Sequence, residues 1–119
     1  MKNRFVILFA GFLFVHHGAS VYDRQKLTNF KATIVEFRYV NPHVQIFFDA
    51  KDESGNNVRW NCESINPGML SKQGWSRNTL KPGDQVTITA FPARLGSPIC
   101  LFQKLTLPDG KELQGVLLD

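Results

Sequence analysis

FKATIVEFRYV, Phe30 to Val40, decides how the chain folds. Its β-branched and aromatic residues are those of a strand. It is long for one strand, and its alternation slips at Val35-Glu36, where the apolar side changes face. A slip of one residue implies a β-bulge and a bend. Asn41-Pro42 then marks a turn. Val44, Ile46, Phe48 and Ala50 alternate with Gln45, Phe47 and Asp49 as a second strand, and Asp52 to Asn57 reads as a hairpin loop. Val58, Trp60 and Cys62 alternate with Arg59, Asn61 and Glu63, so the third strand has a dry face and a wet face.

Asn66-Pro67 supplies an N-cap followed by proline at the first helical position. Met69 and Leu70 give a small apolar face and Gly74 a stop, which limits the helix to about two turns. Lys81-Pro82-Gly83-Asp84 is a tight turn before a fourth strand, Val86 to Ala90. A loop at Ala93 to Pro98 leads to a fifth strand, Cys100 to Leu107, and Leu113 to Leu118 suits a short edge strand. Ser20 to Asn29 reads as a polar N-terminal arm. Three strands, a short helix and two strands, with a bent first strand, is the plan of an all-β, OB-like Greek-key barrel of five strands. An SH3-like roll or another small barrel is the alternative.

The N-terminus says where the protein works. Lys2 and Arg4 precede an apolar run of eleven residues, Phe5 to Val15, which stops at His16-His17. This is the pattern of a secretory signal, and a bilayer-spanning helix needs roughly 20 residues. The expectation is therefore a periplasmic or secreted protein with no stable membrane span after processing. Residues 1–19 read as signal and 20–119 as the single barrel domain. Two cuts compete: one before His16, with Leu13 and Val15 at the recognition positions, and one after Ala19, with His17 and Ala19 there. Removing Lys2 and Arg4 leaves 12 basic against 10 acidic residues, a net charge of +2. The basic residues are scattered, so no nucleic-acid partner is expected.

Cys62 and Cys100 suit an oxidising compartment. They read equally as a disulfide, which would contribute about 4 kcal/mol by loop closure, or as two separate buried thiols. No C-x-x-C is present, and no cysteine follows the apolar run.

The ordered series His16-His17, Tyr22-Asp23, Glu36-Phe37, Asn41-Pro42-His43, Trp60, Glu63, Asn66-Pro67-Gly68-Met69-Leu70 and Gly74-Trp75-Ser76-Arg77 continues toward the C-terminus. There it includes Leu80-Lys81-Pro82-Gly83-Asp84, Pro92-Ala93-Arg94, Gly96-Ser97 and Leu107-Pro108-Asp109-Gly110. The series resembles a family of small exported bacterial proteins known chiefly as a domain of unknown function. The resemblance covers nearly the whole chain and implies export and a small all-β domain, with no established activity. Val15, where the family usually has a small residue, and the two cysteines depart from its pattern.

His16, His17 and His43 are the candidate metal ligands. Imidazole suits copper and zinc, and a free amine at His16 would complete a nitrogen-rich planar set for Cu(II). Asp23 or Glu63 would add an oxygen or orient a ring. The plainer reading leaves His16 and His17 in a discarded segment and His43 bonded to a loop carbonyl. Phe47, on the polar side of its strand, marks a candidate ligand face with Arg59, Trp60 and Glu63, and Arg94 lies in the loop between strands four and five. Glu36 and Glu63 are the carboxylates a glycosidase would need, although solvated strand-face residues are the expected outcome. No G-x-S-x-G and no phosphate-binding glycine loop occurs. The sequence thus points to a non-enzymatic binding or accessory module of the cell envelope, whose partner is an envelope protein or a small ligand.

Export is testable by intact mass. Protein recovered from its own export route is expected to lack the apolar run and to begin at His16 or Ser20. A chain still carrying Met1 to Val15 would contradict the signal reading.

Overall fold

The computed structural model describes residues 21–116. Its elements are β1 (Thr28–Arg38), β2 (Gln45–Lys51), β3 (Asn57–Glu63), α1 (Pro67–Ser71), β4 (Gln85–Pro92), β5 (Ile99–Thr106) and β6 (Glu112–Gln114). The sheet runs β3-β2-β1-β4-β5-β6, and β3 also pairs with β5. That pairing is parallel, whereas the other strand pairs are antiparallel. It closes the first five strands into a barrel with one short helix between β3 and β4, the OB-like Greek-key plan.

β1 and β5 change partners along their length. β1 pairs with β4 through Thr28 to Thr33 and with β2 through Thr33 to Arg38. Between Ile34 and Glu36 its register shifts. Ala32 and Ile34 face the core before the shift, and Phe37 packs against it afterwards. The slip read at Val35-Glu36 is this bulge, and it bends the strand from one partner to the next. β5 pairs with β4 along one edge and divides the other, with Ile99 to Leu101 on β3 and Lys104 to Thr106 on β6.

The core follows the alternation of the strands. Ile34, Val44, Ile46, Phe48, Ile88, Phe102 and Leu105 are almost fully buried. Burial of each such side chain stabilises by roughly 1.5–3 kcal/mol. Cys62 and Cys100 face each other across the parallel seam, as a register pair with Cα atoms 4.5 Å apart, and are bonded.

One end of the barrel is plugged by α1 and the turn after it. The Asn66 side chain accepts from the Met69 amide at 2.9 Å, Pro67 opens the helix and Leu70 is buried. Gly74 sits at φ +95°, a conformation that turns the chain so that Trp75 enters the core. The Trp75 indole N–H donates to Gln114 O at 2.7 Å and the Gln73 amide donates to Val116 O, which fastens the C-terminal segment to this end. Gly115 is the close approach there, because a Cβ would collide with the Phe102 ring.

Element boundaries differ from the sequence expectation by small, explicable amounts. β1 starts at Thr28 because Thr28 and Asn29 pair with Ala90 and Thr89. β6 ends at Gln114, before Gly115, rather than running toward Leu118, and Leu117 and Leu118 lie outside the described residues.

Reducing the disulfide, or replacing both cysteines with alanine, is expected to lower the unfolding free energy by about 4 kcal/mol, the chain-entropy value for a separation of 38 residues. The readout is the denaturant midpoint at constant slope. An unchanged midpoint would show that the seam holds without the bond.

Candidate functional site

The outer face of β2 and β3 is built by period-two alternation. Gln45, Phe47 and Asp49 point away from the core, as do Arg59, Asn61 and Glu63 on β3. After the β1 bulge, Glu36 and Arg38 join them. The register sets three rows: Asp49 beside Arg59, then Glu36–Phe47–Asn61, then Arg38–Gln45–Glu63. The Arg38 guanidinium sits 4.7 Å from the Phe47 ring centroid and holds Glu36 at 2.7 Å. Arg59 pairs with Asp49 and, by that hydrogen bond first, holds the carboxyl below its ordinary range.

Three separate segments meet at the α1 end of this face. Glu63 is the last residue of β3. His43 comes from the β1–β2 loop, just after the cis Asn41–Pro42 bond. Backbone bonds Ser64 N–H to Val44 O (2.9 Å) and Val44 N–H to Ile65 O (3.0 Å) continue the β2–β3 ladder past its end and keep His43 beside Glu63. The His43 Nδ1 lies 2.9 Å from Glu63 Oε2. Tyr22 comes from the N-terminal arm and directs its hydroxyl to Glu63 Oε1 at 3.4 Å.

The arm is fixed by the backbone. Tyr22 bridges to Ala93, Asp23 N–H donates to Pro92 O, and Arg94 N–H donates to Val21 O. Tyr22 is consequently 2% exposed. Burial, then the Glu63 charge, then the hydrogen bond to Glu63 push its phenol up to about 12. Each of these favours the neutral phenol. The arm is thus tied to the β4–β5 loop by its backbone and to the end of β3 by its side chain.

The structure gathers some of the residues singled out in the sequence and separates others. His43 and Glu63 come together, with the carboxylate in the orienting position. His16 and His17 lie outside the described residues. Phe47 and Arg59 share the outer face, but Trp60 does not. Trp60 pairs with inward-facing Phe48 and packs against the core, so a single ligand face of Phe47, Arg59 and Trp60 is corrected by strand parity. Arg59 is engaged with Asp49, and the cation over Phe47 is Arg38. Arg94 is exposed in the β4–β5 loop, where its backbone anchors the arm. Glu36 and Glu63 have all of β2 between them, and Glu36 is paired with Arg38, so the two carboxyls do not flank one space. Tyr22 is the site residue that the pattern of the arm concealed: it is the single aromatic of a mostly polar segment, residues 20–29.

Among the described residues, no group of three or more histidines, cysteines, aspartates or glutamates is arranged to hold a metal. No described helix is long and apolar enough to cross a membrane.

The model of a family of unknown function, DUF6152, matches residues 6–102. The chain belongs to that family. No curated protein and no solved structure matches it. The DUF6152 match includes Tyr22, His43 and Glu63 together with both cysteines, and it ends inside β5, before β6. Membership of DUF6152, a family of unknown function, carries no activity with it.

Tyr22 gives a pH prediction. Its folded pKa of about 12 lies above the ordinary 10.0, so its contribution is complete below pH 10 and is lost as pH rises from 10 toward 12. Denaturant unfolding across this window is expected to show a steeper loss of stability in the native protein than in Tyr22→Phe. Identical slopes would mean that the phenol is not held neutral by its site.

Proposed function

We propose that this DUF6152 protein is an exported, non-enzymatic binding module of the cell envelope. Its ligand is copper or zinc, taken by His43 together with His16 and His17. The observation that carries the reading is the His43–Glu63 contact. A carboxylate 2.9 Å from Nδ1 holds one side of the ring, on a side chain that is 53% exposed. Metal-binding histidines characteristically give one ring nitrogen to a carboxylate and the other to the ion.

Chain geometry supports the other two ligands. His17 precedes Tyr22 by five residues, and five residues reach at most about 17 Å. Tyr22 itself meets the carboxylate that orients His43. Cu(II) fits a nitrogen-rich set of this kind, and Zn(II) also accepts imidazole. Export is supported by the basic, apolar and polar order of the N-terminus and by the bonded cysteine pair, since disulfides persist in oxidising compartments. The separation of Glu36 from Glu63 weighs against a two-carboxylate hydrolase.

A second reading rests on Phe47. A half-buried phenyl ring on the outer strand face, with the Arg38 guanidinium over it, suits a metal-free contact with an envelope protein or a small ligand.

Titration of Cu(II) into the exported chain separates the two. One equivalent is expected to bind, His43→Ala to abolish tight binding, and Glu63→Gln to weaken it by about 10–100-fold. Unchanged affinity in His43→Ala would remove the metal reading and leave the Phe47 face.

A further inference from the structure

We propose that the open mouth of the barrel, at the far end of the β2–β3 hairpin from His43, is a second site that takes a neutral sugar ring. α1 and Trp75 plug one end of the barrel. The other end, between the start of β1 and the β2–β3 hairpin, holds a cleft of about 550 Å³. Small-molecule sites commonly measure about 300–1,000 Å³ and favour barrel mouths.

Phe30, Val58 and Trp60 line the cleft, and all three are only partly buried. The indole is locked in place. Its ring lies 4.7 Å from Phe30, centroid to centroid, and parallel to fully buried Phe48 within 7°. A rigid aromatic surface of this kind offers contact area at little entropic cost. The two tryptophans differ in their polar atom as well. Among the described residues the Trp75 indole N–H is bonded to Gln114 O, and that of Trp60 has no acceptor.

The rim selects the class of ligand. Its lining includes Lys31 and Lys51 together with Asp52 and Glu53, two residues of each sign. An organic anion entering here meets two carboxylates, and an organic cation meets two ammoniums, so neither gains from the net field. A hydroxyl both donates and accepts, and a sugar presents several around a ring whose C–H face is apolar. Ring face on indole and hydroxyls on a rim of both signs is the complementary arrangement. Asp52 is pre-set for it, because its Oδ1 accepts from the amides of Ser54 (2.9 Å) and Asn56 (2.8 Å).

The test is a titration followed by proton–nitrogen correlation spectra of the exported chain, which resolve the indole N–H of its two tryptophans. Cellobiose, maltose and diacetylchitobiose are the saccharide probes; benzoate and benzylammonium are charged aromatic probes of similar apolar size. At least one disaccharide is expected to move the Trp60 indole signal saturably and to leave that of Trp75 in place. Trp60→Leu risks the fold, so the exposed rim residues carry the mutational arm. Lys51→Ala and Glu53→Ala are each expected to weaken binding roughly fivefold, the effect of one lost hydrogen bond. No saturable shift with any saccharide, binding of the charged aromatics alone, or full affinity in both rim variants would overturn the proposal. Because the readout is at Trp60 and needs no metal, its outcome is independent of the His43 site.

Discussion

The parallel seam between β3 and β5 is the constraint on which the rest depends. Every other pairing of the sheet is antiparallel, and the hairpins among them form locally. The seam joins segments 38 residues apart through three register pairs, with the disulfide at the middle one. Without it the sheet would present two free edges, each a template for pairing with another chain. With it, Asn61 is set beside Ile99 and Glu63 beside Leu101, so the end of β3 is held where the arm and the β1–β2 loop can reach it. The cysteine pair therefore acts on the site as well as on stability: it fixes the strand that carries Glu63.

Glu63 is in turn the meeting point of three chain segments. His43 arrives because the β2–β3 ladder continues through Val44 and Ser64. Tyr22 arrives because the arm is stitched by backbone bonds to Pro92 and Arg94. A buried phenol beside a carboxylate stays neutral, and the same carboxylate contacts the His43 imidazole through Nδ1. This is a small arrangement, but it joins the N-terminal arm to the barrel at a carboxylate that also contacts an imidazole. At the opposite end, the barrel is left open over Phe30 and Trp60, so the two ends differ in chemistry: histidine and carboxylate at one, aromatic floor and mixed-sign rim at the other.

Much of this was legible in the residues. The slip at Val35-Glu36 gave the bulge, because one residue of offset reverses every side chain beyond it. Asn66-Pro67 gave the helix start, and alternation gave the inward set of β2 and β3. Parity also puts Trp60 on the face of Cys62, opposite Phe47 and Arg59. The cysteine pairing was not legible, since only the closed barrel brings the two Cα atoms within 4.5 Å. Tyr22 was hidden for another reason. Its burial comes from backbone bonds to a loop some 70 residues away, and no local pattern records such a bond.

The central claim is that Glu63 holds the Nδ1 side of His43 and leaves Nε2 free to bind. Nitrogen-resolved spectra of the imidazole rings, recorded above the histidine titration range without metal, read the tautomer directly. The account predicts that His43 carries its proton on Nδ1 in the native protein and loses this preference in Glu63→Gln. A proton on Nε2, or a tautomer unaffected by Glu63→Gln, would contradict it.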